Sequence, residues 1–208
     1  AAKNSMSAFI FRQEFMASFE AQGSELFKEE YVQFSEEEPQ SGSYYIAVDL
    51  AGFADVAKAT TKTKRLDQTA ISVVKAGEEG WWVADIIYGR WGVEATARKI
   101  FEAVRDYSPV AVGIEKGALK NAVLPYISDL MKSNNRFFRI DELTHGNKKK
   151  TDRIVWALQG RFEHGKITLN KGEWNATFLD ELFQFPNQLV HEKMIPSHPM
   201  IKKLLLLN

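Results

Sequence analysis

Residues 44–49 have the sequence YYIAVD, and residues 110–115 have the sequence VAVGIE. Both are short runs of β-branched, aromatic and small residues, which favours buried strands, and both end in an acid. Because side chains alternate across a strand, a small residue shares a face with each acid, two positions before it. If the two strands are parallel neighbours, Asp49 and Glu115 emerge together at the carboxyl edge of the sheet, where α/β proteins build their sites.

The segments around these two strands alternate in type. Residues 69–74 and 81–88 are typical of strands, and the short glycine-containing loop between them predicts an antiparallel hairpin. Further along, apolar spacing predicts helices at 93–107, 118–131, 152–163 and 174–185, and a fifth strand at 137–143. This order predicts an α/β protein of the ribonuclease H-like fold, with a mixed central sheet and helices on both faces.

Composition narrows the function classes. The chain has 208 residues, 45% of them hydrophobic, which suits one buried core and a small appendage. It has no cysteine, so a metal would have to bind oxygen or imidazole, and its four histidines lack zinc spacing. No phosphate-binding loop of the ATPase type is present, which excludes ATP hydrolysis by this stretch. No apolar run approaches the ~20 residues that span a bilayer, so we expect no membrane association.

The domain boundary is expected near residue 42. Residues 35–43 combine a charge run with Pro, Gly and Ser, which is typical of a linker. Residues 1–42 carry eight acidic and three basic residues, so the neutral chain leaves a positive excess after them. We therefore predict a linker segment at 1–42, the main domain at 43–195 and an irregular tail at 196–208.

Clustered carboxylates at a strand edge favour a divalent metal site. Acids that lie close together repel one another, and hard ions such as Mg²⁺ or Mn²⁺ prefer carboxylate oxygens. Two such ions can support phosphodiester cleavage. The alternative interpretation of each acid is a cap or a solvated loop residue at a strand end.

At this point the sequence resembles a known family. Residues 45–51, 113–115 and 148–154, followed by Leu158, Phe162 and residues 165–167, are similar to the nuclease domain of phage DNA-packaging terminase large subunits. That domain belongs to the ribonuclease H-like, retroviral integrase-like superfamily. Residues 11–15 and 27–31 resemble the stretch that leads out of the packaging ATPase domain in that family, so 1–42 would follow an ATPase domain absent from this chain.

The resemblance implies catalytic and metal-binding residues by position. It assigns the first catalytic acid to Asp49, the second to Glu115 and the third to Glu192. The third position departs from the family's usual His-Asp-Asp stretch, because Lys193 replaces one carboxylate and two prolines follow in the tail. Asp67 is a candidate supplementary metal ligand, and its alternative role is a turn acid that pairs with Arg65.

Two basic loops are candidates for DNA binding. Both flank predicted strand ends, where cations can hold phosphates without reading sequence. The candidate residues are Lys58, Lys62, Lys64, Arg65, His145, Lys148, Lys149, Lys150 and Arg153. The alternative interpretation of each loop is a solvated charge run.

The resemblance implies an endonuclease that cleaves concatemeric viral double-stranded DNA with little sequence specificity, using Mg²⁺ or Mn²⁺. Its implied partners are DNA, the portal protein, the small terminase subunit and the ATPase domain of the same polypeptide. Its implied location is the cytoplasm of the infected bacterial host. The alternative is a non-catalytic module that binds DNA or docks on the packaging motor. Other enzymes of the same fold, such as junction resolvases or ribonucleases acting on hybrids, are a lesser alternative.

Overall fold

A seven-stranded mixed sheet organises the part of the chain that the structure describes. This structure is a computed structural model, which describes residues 26–52, 68–144 and 155–185. Its strands are β1 Gln33–Phe34, β2 Ser43–Asp49, β3 Thr69–Gly77, β4 Gly80–Gly89, β5 Ala111–Glu115, β6 Ile140–Leu143 and β7 Ile167–Leu169. They lie in the order β1-β7-β4-β3-β2-β5-β6.

The helices occur where the apolar spacing predicts them. They are α1 Val93–Tyr107, α2 Ala118–Ser133, α3 Gly160–Glu163 and α4 Asn175–Gln184, with a π-helical turn at Val155–Gln159 that leads into α3. Helix α1 buries Ala97, Ile100, Phe101 and Val104, whose spacing of three and four residues places them on one side of the helix. Among the described residues, none of the helices has both the length and the apolar character needed to cross a bilayer.

The hairpin at the centre of the sheet is confirmed. Strand β3 pairs antiparallel with both β2 and β4. Only Glu78 and Glu79 separate β3 from β4, because both strands extend beyond the predicted ends. At Gly80 the backbone has φ +145°, and a Cβ would lie 2.5 Å from the carbonyl oxygen of Lys166, so the position requires glycine.

The later strands return by helical crossovers, as the sequence predicts. Helix α1 connects β4 to β5, and α2 connects β5 to β6. Strand β5 lies between β2 and β6 and is parallel to both. Strand β2 therefore stands at the point where antiparallel pairing on one side changes to parallel pairing on the other.

Helices cover both faces of the sheet, and each face has its own core. On the α1/α2 face, Ile46, Val48 and Ile114 pack with Ile100 of α1 and Ile127 of α2. On the α3/α4 face, a second cluster contains Ala70 and Val74 of the sheet and large side chains beside them. Its aromatic members are Phe27, Phe162, Trp174, Phe178 and Phe185.

The segment before residue 43 contributes to this second core. Phe27 is 1% exposed and makes edge contacts with Phe162 and Phe185, with ring centroids 5.8 and 6.0 Å apart. Strand β1 pairs in parallel with β7, which itself pairs with β4. Neither β1 nor β7 was predicted, because strands of two and three residues are too short to show an alternating pattern.

Candidate active site

Asp49 and Glu115 lie side by side at the carboxyl edge of the sheet. Strands β2 and β5 are parallel neighbours, and their register pairs Val48 with Ile114. The next residue in each strand is the acid that ends it. Neighbouring strands are about 4.8 Å apart, so the two acids are adjacent in space although 66 positions separate them in the sequence. The predicted pairing of the strands is confirmed.

Both acids belong to the α3/α4 face. Asp49 is paired across the sheet with Ala70, which belongs to the core of that face. The residues just before the acids, Val48 and Ile114, are in the opposite core. Because parallel partners share a face, Glu115 projects to the same side as Asp49, and both are partly exposed.

Small residues lie behind the two acids on their face. Ala47 is fully buried, and Gly113 is its partner across the strand pair. A Cβ on Gly113 would lie 2.5 Å from Cδ1 of Leu143, so the leucine side chain occupies the space that a larger residue would need. Leu143 is itself the β6 partner of Glu115. The absence of a side chain at Gly113 therefore lets Leu143 pack beside the base of the second acid.

A buried hydrogen bond holds the chain just after the first acid. The backbone N–H of Ala51 donates to Oγ1 of Thr69, with 3.0 Å between the two atoms. Thr69 begins β3 and is 1% exposed. The contact ties the end of β2 to β3 two residues beyond Asp49. Sequence reasoning did not find this role for Thr69, since the two residues meet only when the strands pair.

The opposite side of the same edge carries lysines around a carboxylate. Glu142 pairs in register with Ile114 and so projects to the α1/α2 face. Nζ of Lys120 lies 2.7 Å from one of its oxygens, and Nζ of Lys116 lies 3.5 Å from the other. The hydrogen bond from Lys120 is the main reason that the pKa of Glu142 is below its ordinary value, with both ammonium charges adding to the effect. Glu142 is thus close to Glu115 in the fold but on the other face.

Another acid of β6 is on the side of the two acids. Asp141 is the register partner of Gly113, and Nε of Arg139 lies 2.7 Å from its Oδ1. The Asp141 carboxylate therefore already has a cationic partner. Within residues 26–52, 68–144 and 155–185, no group of three histidine, cysteine, aspartate or glutamate residues is placed to hold a metal ion.

The other candidate site residues lie outside the described part of the chain. These are the predicted ligands Glu192 and Asp67 and the basic residues of both loops, namely Lys58, Lys62, Lys64, Arg65, His145, Lys148, Lys149, Lys150 and Arg153. Their assignments stay predictions from the sequence. The structure thus brings together two of the sequence-predicted ligands, Asp49 and Glu115.

The described part of the site suits a hard divalent cation. Two carboxylates on adjacent strands and on one face supply oxygen ligands only, and their like charges favour a cation between them. Neither thiolate nor imidazole is adjacent to them in the strand register. Carboxylate oxygens of this kind suit hard ions such as Mg²⁺ or Mn²⁺ better than softer ions.

The family comparison covers most of this sheet. A family model described as the terminase RNaseH-like domain matches residues 46–198, a range that includes Asp49, Glu115 and Glu192. No curated protein matches the sequence significantly.

Solved structures show the same fold at very low sequence identity. The large terminase nuclease of thermophilic phage G20c, solved with bound magnesium, has a TM-score of 0.56 and 12% identity, over 88% of this chain and 93% of that one. The nuclease domain of human cytomegalovirus terminase, soaked with manganese and inhibitor-bound, has a TM-score of 0.58 and 13% identity, with the same coverage. These similarities support the ribonuclease H-like fold that strand order predicts.

Complete large terminases are longer than this chain. The large terminase of a second thermophilic bacteriophage, in complex with ADP, has a TM-score of 0.58 and 6% identity over 87% of this chain. This chain covers 42% of that protein, and only 34% of it in another crystal form. It therefore spans less than half the length of the complete large terminases that it matches.

Proposed function

This chain belongs to the terminase RNaseH-like domain family, and from that premise we propose that it is a divalent-metal-dependent endonuclease acting on double-stranded DNA. Its substrate in the virus would be concatemeric genomic DNA, cut during packaging with little sequence specificity. The observation that carries the proposal is the adjacency of Asp49 and Glu115 on one face of the carboxyl edge.

The proposed metal ligands are Asp49, Glu115 and Glu192, with Asp67 as a supplementary ligand. Support for a metal comes from the oxygen-only character of the two described acids and from the ions present in related nucleases. The G20c nuclease was solved with bound magnesium and with bound zinc, and the cytomegalovirus domain was soaked with manganese. Mg²⁺ or Mn²⁺ suits the carboxylate ligands of this chain better than zinc does.

The residues of the chain divide the work of phosphodiester hydrolysis. When two divalent ions are bound, they supply an activated water and stabilise the oxygen that leaves. Asp49 and Glu115 hold their carboxylates at the rim, where a DNA backbone can approach. Thr69 and Leu143 keep the ends of β2 and β5 in place, so the two carboxylates need little rearrangement before reaction.

DNA would be held mainly through its phosphates. The basic loops at residues 58–65 and 145–153 follow strand ends in the sequence and carry flexible cations suited to that contact. Such contacts position a duplex without reading its bases, which agrees with low sequence specificity.

The remaining partners follow from the family. The ATPase domain of the same polypeptide is proposed because this chain covers less than half of complete large terminases. The portal protein and the small terminase subunit are proposed as further partners, and the cytoplasm of the infected host as the location.

The proposal is tested by incubating the protein with supercoiled plasmid in Mg²⁺, Mn²⁺ or EDTA. We expect nicking and linearisation with either ion, none in EDTA, and a loss of roughly 10²- to 10³-fold in rate for Asp49→Ala. The matched control is Asp129→Ala, an exposed acid on α2 that should cut at the wild-type rate. If the plasmid stays intact in every condition while the protein still binds DNA, the chain is a non-catalytic docking module and the nuclease proposal is wrong.

A further inference from the structure

We infer that Lys116 contacts a backbone phosphate of bound DNA at the edge of the sheet that carries the acids, and that Lys120 is a positioning residue, which acts by satisfying the Glu142 carboxylate that would otherwise retain Lys116. The inference rests on the proposed function for the identity of the ligand. Neither the family match nor the sequence pattern assigns a role to these three residues. The observations that carry it are their distances, their unequal exposure and their place at the edge of the sheet.

Lys116 lies at the same edge of the sheet as the two acids, and its side chain is on the opposite, α1/α2 face, beside Glu142. It is the first residue after β5, and its backbone N–H donates to the carbonyl oxygen of Leu143, with 2.9 Å between the atoms. Glu115 is therefore followed directly by a cation whose backbone is anchored to the neighbouring strand. The Lys116 side chain is 67% exposed. Its flexible four-carbon stem lets the ammonium reach a phosphate at the same edge.

The two lysines share Glu142 unequally. Lys120, with a side chain only 12% exposed, makes the short contact of 2.7 Å. Lys116 makes the longer contact of 3.5 Å to the other carboxylate oxygen. The covered stem of Lys120 holds its ammonium at the carboxylate, whereas the exposed side chain of Lys116 can turn to another partner. Lys120 therefore keeps the carboxylate, and Lys116 can exchange it for a phosphate at small cost.

The charges of the group favour an anion. Two ammonium groups and one carboxylate leave a net charge of +1 on the opposite face of the edge that carries the two acids. If Lys120 were absent, Glu142 would be neutralised by Lys116 alone, and Lys116 would be held in a one-to-one ion pair. Lys120 thus acts on DNA through Glu142, by satisfying the carboxylate that would otherwise retain Lys116.

The test measures the affinity of the full 208-residue chain for a short labelled duplex in Ca²⁺, over salt concentrations between about 50 and 200 mM. For Lys116→Met we expect affinity on the order of tenfold weaker and a salt dependence shallower by about one unit of slope. Lys132→Met is the matched control, since this exposed lysine lies about 20 Å along α2 from its start. Wild-type affinity and slope in Lys116→Met would overturn the inference.

The positioning role is tested by a mutant cycle. We expect Lys120→Met to make the salt dependence of DNA affinity shallower, as Lys116→Met does. Lys120→Arg should keep the wild-type salt dependence. In the Glu142→Gln background, Lys120→Met should have no further effect, because the carboxylate through which it acts is gone. An equal effect of Lys120→Met in both backgrounds, or no effect in either, would overturn the positioning role.

Binding and cleavage are measured separately, so the two proposals can fail separately. If the wild-type chain never cuts plasmid, but Lys116→Met makes the salt dependence of DNA affinity shallower, the nuclease proposal is wrong and the phosphate contact is supported. A chain that cuts plasmid while Lys116→Met binds DNA like wild type would support the nuclease and overturn the contact.

Discussion

The two faces of strands β2 and β5 are built from opposite kinds of side chain. On the α1/α2 face, Ile46, Val48 and Ile114 are fully buried in a core of aliphatic residues. On the α3/α4 face, the acids Asp49 and Glu115 lie at the rim, and the small residues Ala47 and Gly113 come directly behind them. One face of each strand therefore contributes hydrophobic stability, and the other carries the candidate chemistry.

The α3/α4 face obtains its stability elsewhere. Its aromatic cluster lies with β4, β7 and the segment that precedes β2. Because the acids and small residues bury little apolar surface, this cluster is the main hydrophobic contribution on their face. The comparison predicts that substitutions in the cluster lower stability, whereas those behind the acids also lower activity.

The largest expected effect on stability is that of Phe27→Ala. Phe27 is 1% exposed and contacts two other phenylalanines, so its truncation should lower the free energy of unfolding by about 3–5 kcal/mol. Urea denaturation measures this change in the free energy of unfolding. The control is Phe34→Ala, whose side chain is 45% exposed and whose effect should stay within about 0.5 kcal/mol. Similar small effects for both would show that the segment before β2 adds nothing to the core of the α3/α4 face.

A smaller loss of stability with a loss of activity is expected for Gly113→Ala. The added Cβ would meet Leu143 at 2.5 Å, so the leucine or the strand must shift, at a cost of about 1–3 kcal/mol. Since Leu143 pairs with Glu115, plasmid cleavage at a temperature where the variant stays folded should also slow. Gly52→Ala, which has open space at its Cβ position, controls for stability. A variant as active as wild type would remove the proposed role of this close contact.

The smallest expected effect on stability is that of a substitution at Asp85, a partly buried acid on β4 outside the candidate site. Burial raises the pKa of its carboxyl above the ordinary value of 3.8, and a hydrogen bond from the backbone of Ile86 only partly opposes this. The native state therefore holds the proton more tightly than the unfolded chain. Stability is lost as pH rises from the ordinary pKa through the raised one.

Asp85→Asn should consequently raise the free energy of unfolding at neutral pH, by about 1 kcal/mol or less, and should have no such advantage in acid below the ordinary pKa. Urea denaturation at several pH values measures the difference. A gain that is the same at every pH would show that the buried charge is not its cause. Cleavage by Asp85→Asn at neutral pH should equal that of wild type, in contrast to Asp49→Ala.

Much of the fold could be predicted because its signals are local. The period of two at residues 44–49 and 110–115, and the spacing of three and four in α1, each follow from which side of an element is buried. The hairpin followed from the shortness of the loop between β3 and β4. The strand ends were less accurate, since β3 and β4 stay paired beyond their apolar runs.

Only the part of the site that follows from the order of the strands could be predicted. Asp49 and Glu115 could be paired from sequence because parallel neighbours end at the same edge. The contact of Leu143 with Gly113 and the position of Glu142 between two lysines depend on the register of β6, which its four residues do not encode.

The amino-acid sequence by itself determined the order of the elements, the residues that share a face with each acid and the hard-oxygen character of the candidate metal site. These follow from side-chain periodicity and from residue chemistry, both of which are properties of the chain. Only the tertiary structure decided that Phe27 belongs to the core, that β1 and β7 extend the sheet, and that Lys116 shares Glu142 with Lys120. Those contacts join residues far apart in sequence, and their geometry exists only when the sheet has set its register.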